Sequence, residues 1–469
     1  MKKGEITVYL SLLFVLLISF VMGVLEAAIV QTEKNMCRLK ADRAVFSVFG
    51  EYQRELLRKY HVFALEGSYG TGDFSEENIL RRMHYYGTEG MEHNTAGIQY
   101  LTDNKGQAFR EQVTAYMEQR YGLSLAKNFA GMTEEWKEQS LEGEKMREKE
   151  ETILEDYKNL TGTEDQSSPE DQTPFSCLET IENAGILSVA LPKDMKVSGR
   201  EVSPENQVSC RNLRTGYGSF PVRQGIDGPE EKILFNEYIL QKFSYASESS
   251  ENEKKTNETD KTEKRTEPSL KYEVEYILAG KSSDKENLES VLFKIFLIRM
   301  SLNYICLLGE SSLKAQAEVM AAVISIVLLM PEIAEPLKYL ILLAWAAGES
   351  IVDLRSLLSG NRVPLTKNSE NWQLPLGSLL LLGSGSDTVE GSDTQGGVSY
   401  KDYLRAFLFL ENTDSVSMRT LDRIEENLKS VHGLGSFQAD QCISRMEITT
   451  TAPVAGGIFY SFPVYFGYE

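Results

Sequence analysis

Histidine and cysteine are scarce in this chain. Its four histidines, His61, His84, His93 and His432, are scattered over 469 residues, and no HExxH or other close histidine and carboxylate cluster occurs. Zinc-type metal catalysis therefore has no local ligand set. The five cysteines, Cys37, Cys177, Cys210, Cys306 and Cys442, form no CxxC pair and are too few and too scattered for a disulfide framework. They read as small buried apolar residues. Positive charge is also short: 49 Lys and Arg face 69 Asp and Glu, a formal charge of -20, which repels nucleic-acid phosphates and anionic lipid headgroups. Nucleic acid is excluded as a partner. No GxSxG elbow, phosphate loop or dinucleotide fingerprint occurs. The stretch GSYGTGDFS at 67–75 has a GxxGxG spacing but lacks the preceding strand and following helix that a phosphate cradle needs, and it reads as a turn. Asp387, Glu390 and Asp393 lack the spacing of a calcium loop and read as part of a solvated, flexible acidic insertion at 381–399. No catalytic residue, cofactor site, metal site or small-molecule substrate is predicted.

What the chain does have is a long apolar run. Residues 6–25 carry no charge, and twenty residues at about 1.5 Å each span about 30 Å, the thickness of a bilayer's hydrocarbon. A cleavable export signal has a shorter apolar stretch and a small-x-small site, whereas here Glu26 occupies the position three before a cut behind Ala28. The run reads as a retained anchor with membrane lipid as its partner. Beyond it Val45, Phe49, Tyr52, Leu56 and Tyr60 recur at spacings of four, three, four and four, with charged residues on the other face. No proline or glycine interrupts 25–49. The pattern predicts one helix of about 50 residues, half in lipid and half packed by this stripe onto a body.

Further along, 110–157 reads as helical and polar, and 162–174 as a loop. The segment at 244–269 has few apolar residues and no packing period, the signature of a disordered linker. Short elements are expected at 186–191 and 232–243. KYEVEYIL, at 271–278, alternates apolar and charged residues and predicts a strand. Helices are expected at 285–308, 313–330, 335–358, 400–410 and 419–431. The apolar stretches 319–330 and 339–347 are short and flanked by Glu332, Glu335 and Lys338, which predicts buried core helices and not further spans. At the carboxyl end, Ile458, Tyr460, Phe462, Val464, Phe466 and Tyr468 share one parity after Gly456 and Gly457, predicting a hairpin that joins the strand near Tyr272, with Pro463 on an edge strand. The fold class is thus α+β: an N-terminal transmembrane helix that continues as an amphipathic stem helix, followed by a mixed body of helices and antiparallel strands. The expected organisation is leader and anchor at 1–30, stem at 31–66, a mixed middle region at 67–243, the linker at 244–269 and an α+β domain at 270–469.

Two stretches carry a resemblance. Gly4-Glu5-Ile6-Thr7-Val8-Tyr9 with the apolar run and ADRAVFSVFGEYQRELLRKYHVFAL, and then LKYLILLAWAAGESIVDLRSLLSGNRVPLTKNSENWQLPL at 337–376, resemble a family of membrane proteins encoded with tight-adherence (Tad) pilus machinery in Gram-positive bacteria, broadly similar to the TadE and TadG pseudopilins. The resemblance implies a body outside the cytoplasm, Tad-type pilus or secretion components as partners, and a leader-peptidase site between Gly4 and Glu5 after the basic Lys2 and Lys3. The family pattern's glutamate at the fifth mature place is absent, since Tyr9 stands there. Lys34, Arg38, Lys40 and Arg43 after the run outnumber Lys2 and Lys3 before it, so the charge count alone favours the opposite orientation. Three functions are weighed: a pseudopilin-like accessory or minor pilus component with the stripe from Val45 to Tyr60 as stem and partner surface, a generic signal-anchored scaffold or sensor, and a membrane-tethered hydrolase using scattered carboxylates. The expectation is the first, acting by binding and not as an enzyme.

Overall fold

The computed structural model describes residues 3–122, 185–193, 195–223, 228–248, 268–327, 329–382, 387 and 389–468. The chain divides into two compact units, one made of 1–116, 211–226 and 424–469, the other of 117–210 and 227–423. The expected polar helix beyond residue 122, the loop at 162–174 and most of the linker at 244–269 lie outside the described residues.

The first unit is an antiparallel sheet under a long helix. Helix α1 runs unbroken over Lys3–Phe49, and α2 follows at Arg54–Tyr60. Strand β1 (Leu65–Glu66), helix α3 (Glu76–Tyr85), strand β2 (Glu92–Tyr100) and helix α4 (Asp103–Tyr121) come next in the chain. The stripe expected to lie on one helix is split, because α1 stops at Phe49. Gly50 has poor helix propensity, and the chain turns so that the Gln53 amide bonds the Ala64 carbonyl at 2.9 Å while the Gln53 side chain caps α2. Glu51 in that turn accepts bonds from Arg82 and, at 2.7 Å, from the Tyr86 hydroxyl, fastening it to α3.

In the second unit, α5 (Leu187–Ala190), α6 (Pro229–Lys242) and α7 (Glu273–Ala279) precede three long helices, α8 (Asp284–Gly309), α9 (Ser311–Val327) and α10 (Ala334–Leu358). Helices α11 (Tyr400–Leu410) and α12 (Thr413–Lys429) lead to β3 (Cys442–Val454) and β4 (Ile458–Gly467), which belong to the first unit. Central strand β3 pairs with β2 on one side and with β1 and then β4 on the other. The carboxyl-terminal hairpin therefore forms as expected, but it joins β1 and β2 and not a strand near Tyr272. Pro463 lies opposite Thr449 on β4, whose only partner strand is β3 among the described residues, an edge position where a missing amide costs no ladder bond.

KYEVEYIL forms helix α7, not a strand. Its alternation implies a wet charged face, yet Glu273 and Glu275 are buried: Glu273 accepts the Ser244 amide at 3.0 Å, and Glu275 accepts the Ala246 amide and the Tyr400 hydroxyl at 2.8 Å each. With both parities inside, a period of two has no meaning. Helix α10 is buried along nearly its whole length, as expected for 339–347. Gly348 lets neighbouring chain pass closely, since a Cβ there would meet Leu374 and Leu379 at 2.7 Å. Helix α9 departs from expectation. It buries Leu313, Ala317, Ala321 and Ser325 and leaves Val319, Val323, Ile326 and Val327 exposed, because close helix packing through small residues needs no bulky ones. Helix α8 is also long and apolar enough to cross a membrane, but most of its apolar window is buried in the second unit.

Burial pushes the Glu275 carboxyl up to about 7 against the pull of the Ala246 amide and the Tyr400 hydroxyl. Between the ordinary value of 4.5 and about 7 the folded chain keeps this proton while the unfolded chain has lost it. Stability from this site is thus full below the ordinary value and falls as pH rises through that window, by about 3 kcal/mol. Denaturant unfolding in detergent across pH 4 to 8 should show this fall for the unaltered chain relative to Glu275→Gln; parallel curves would refute the assignment.

Candidate functional site on the amino-terminal helix

Along the first part of α1, the large apolar side chains from Ile6 to Leu25 are all exposed. A helix satisfies its own backbone in hydrocarbon, and the two serines of this run are satisfied within it: Ser11 and Ser19 donate to the Val8 and Leu16 carbonyls at 2.9 Å. By length and composition this segment is compatible with a single-pass membrane anchor. Gly4 and Glu5 lie in the first turn of α1.

Past Leu25 the helix has two faces. The inner face, Ala41, Ala44, Val45, Val48 and Phe49, is buried against the sheet with Ile448, Phe462 and Val464. Phe49 stacks on Phe466 at 4.5 Å and meets Tyr468 edge-on at 5.5 Å, and the Tyr468 hydroxyl donates to the Phe49 carbonyl. Nearer the apolar run, Glu33 accepts the Ala455 amide at the β3–β4 turn, Lys34 lies 5.1 Å over Tyr460, and Arg38 lies over Tyr460 and Phe462. The β4 strand thus lies along α1 with its hairpin turn toward the apolar run.

The expected stripe is not a partner surface. Val45, Phe49, Leu56 and Tyr60 are buried and Tyr52 is half-buried, packed edge-on to Phe63 at 5.2 Å. They hold the first unit together, and Tyr60 accepts a bond from Asn427. The free face is the opposite one. Leu25, Ile29, Thr32, Met36, Leu39, Arg43 and Phe46 follow spacings of four and three along one side of the helix, all exposed, Phe46 at 68%. The signal was in the sequence, but a helix with apolar residues on both sides does not say which side its own sheet will cover.

The densest group of charges lies elsewhere. In the second unit Arg299, Asp353, Lys367 and Glu349 are fully buried ion pairs. Arg299 also donates to the Pro364 and Leu365 carbonyls, and Glu349 accepts the Gln373 and Leu374 amides. Burial works against the Asp353 charge, but Arg299 and Lys367 outweigh it and hold that carboxyl below its usual range. For Glu349 burial wins and the carboxyl is raised; burial raises Asp422 as well, where Ser209 and Tyr276 donate to it. Asp387, expected to be solvated, is paired with Arg355 at 2.6 Å, and Asp393 accepts the Arg362 amide, so the acidic insertion is pinned at both. Of the cysteines, Cys442 is buried as expected, whereas Cys210 is exposed and Cys37 and Cys306 are half-buried; these four are free thiols. Among the described residues no three His, Cys, Asp or Glu side chains gather as a metal site would.

Residues 164–453 match a family of unknown function, DUF5702, over more than half of the chain. The chain belongs to the DUF5702 family. No curated protein and no solved structure matches it. The DUF5702 region begins well after α1 and ends inside β3, so it takes in the second unit from 164 onward with 211–226 and 424–453 of the first, and leaves the helix described above outside.

Two outcomes separate the faces and the charge cluster. Phe49→Ala should destabilise the chain by about 3 to 5 kcal/mol, as core aromatic truncations do, while Phe46→Ala, which loses only an edge contact with Phe466 at 6.0 Å, should cost about 1 kcal/mol or less; equal effects would mean the inner face is misassigned. Lys367→Met, which leaves buried Glu349 without a cation and Asp353 with Arg299 alone, should cost about 3 to 5 kcal/mol, read as earlier unfolding of the fluorescence from Trp345 and Trp372 that flank the cluster.

Proposed function

We propose that the chain is a membrane-anchored, pseudopilin-like accessory or minor component of a Tad-type pilus or secretion assembly, with its bulk outside the cytoplasm, acting by binding and not by catalysis. One observation carries the reading: a single helix of 47 residues whose first part suits lipid and whose second part has one face sealed on its own sheet and the other lined with exposed apolar residues. A water-exposed helix normally turns charge outward. Ile29, Met36, Leu39 and Phe46 at four-three spacing are instead what a partner helix covers. The resemblance of both ends of the chain to the Tad-locus family supplies the partner class, and Lys2, Lys3 and Gly4 supply the leader, with the cut before Glu5.

Crosslinked membranes are the place to test this. Affinity capture of the full chain should recover Tad-type assembly components, with Glu5 as the first residue on sequencing the mature chain, and a cysteine engineered in the body should label in intact cells. Met36→Glu with Leu39→Glu, both exposed, should lower the captured partner without changing the unfolding midpoint. Recovery of the chain with Met1 intact and with none of these components would leave a signal-anchored scaffold or sensor in place of the proposal.

A further inference from the structure

The β3–β4 hairpin ends in an exposed apolar tip. Ile458 and Phe459 lie in water at 48% and 75% exposure, after a bare turn in which Gly456 and Gly457 both adopt left-handed backbone. They stand on opposite faces of the strand, so the tip is apolar on both sides. A hairpin end bathed in water ordinarily turns at least one polar face outward. The sequence carries no charge between Glu447 and Glu469, the whole of this hairpin beyond its base.

Two contacts fix where the tip sits on α1. The Ala455 amide donates to Glu33, and a Cβ on Gly456 would stand 3.7 Å from the Glu26 carboxylate. Glu26 is the first charge after the apolar run. If residues 6–25 fill the roughly 30 Å of hydrocarbon, Glu26 and the tip beside it lie at the level of the headgroups, where aromatic side chains concentrate. Lys34 and Arg38 lie farther along the helix, over Tyr460 and Phe462, and mark the side of the tip that stays wet.

We infer that this tip is a second membrane contact: Ile458 and Phe459 enter the boundary between headgroups and acyl chains next to the point where α1 leaves the bilayer. The inference rests on the reading of α1 as a span. With two contacts, helix and hairpin, the first unit is fixed in depth and in rotation about α1, and the outer face of α1 is presented in a set direction. The occupant is the lipid of the same bilayer that holds α1. Acyl chains suit a tip without charge, and the acids Glu26 and Glu33 beside it disfavour an anionic headgroup.

The test uses the full chain, one copy per phosphatidylcholine nanodisc, with bromine on the acyl chains as a quencher, near the headgroup in one set of discs and near the chain ends in another, so that both the boundary and the middle of the bilayer are read. Tryptophan is placed by Phe459→Trp, by Leu17→Trp inside the apolar run, and by Tyr85→Trp on exposed α3. The unaltered chain supplies the background from Trp136, Trp345 and Trp372. The inference expects Phe459→Trp to lose much of its emission in brominated discs, Leu17→Trp to do the same, and Tyr85→Trp to lose none. Quenching at Leu17 with a response at Phe459 equal to that at Tyr85 overturns the hairpin contact and leaves the anchor standing. No quenching at Leu17 overturns the span itself, and the inference with it. Ile458→Trp reads the same tip should Phe459→Trp fold poorly.

Discussion

The first unit depends on the packing of Phe49 against Phe466 and Tyr468. A helix of 47 residues is about 70 Å long, and nothing in its own hydrogen bonding says which side faces what. The aromatic cluster decides that. Once Phe49 is locked under β4, the residues one and two turns earlier, Val45, Ala44 and Ala41, fall on the same side and are buried, and Met36, Leu39 and Phe46 are turned out. Rotation of the helix by half a turn would bury Arg43 and expose the small alanines that allow the sheet to approach. The two alanines and the aromatic lock thus fix the environment of every residue from Glu26 onward.

The second unit is organised by a costly arrangement of a different kind. Ionised groups sealed from water are stabilising only when their geometry and hydrogen bonds are complete. The Arg299, Asp353, Lys367 and Glu349 cluster meets that condition by drawing in backbone: carbonyls of Pro364 and Leu365 on one side, amides of Gln373 and Leu374 on the other. The segment after α10 is therefore held as an irregular strap against α8 and α10, with Trp345 donating to the Leu374 carbonyl at 2.8 Å to close it. Such a network favours one arrangement of the strap over slipped alternatives, because any slip leaves a buried charge alone.

Long helices were legible because their apolar periods are long. Residues 285–308, 335–358 and 400–410 form helices close to the bounds their patterns predict, and the parity of Phe462, Val464 and Phe466 names the face of β4 that meets α1. Three features were not legible, for separate reasons. At 271–278 the alternation implies wet glutamates, but amides and hydroxyls from distant chain satisfy them inside, which local pattern does not encode. In 319–330 apolar content implies burial, whereas α9 packs by its alanines and leaves its valines outside. On α1 two apolar stripes coexist, and tertiary contact alone selects the buried one; the stripe chosen from the sequence was the core, and the one passed over is the exposed face.

The charges that follow the apolar run bear on orientation in a way that counting misses. Positive residues after a span argue for a cytoplasmic body when nothing else accounts for them. Here the fold accounts for two: Lys34 and Arg38 cover the rings of Tyr460 and Phe462, at the margin where the sheet's aromatic face would otherwise open to water. Their alkyl stems and cationic heads suit that margin better than a neutral polar residue would. Glu33, just before them, ties down the hairpin turn, so an acid and two bases stand together in the segment for structural reasons. Lys34 and Arg38 therefore record what the edge of the sheet requires, and without them the positive charge after the apolar run no longer exceeds that before it.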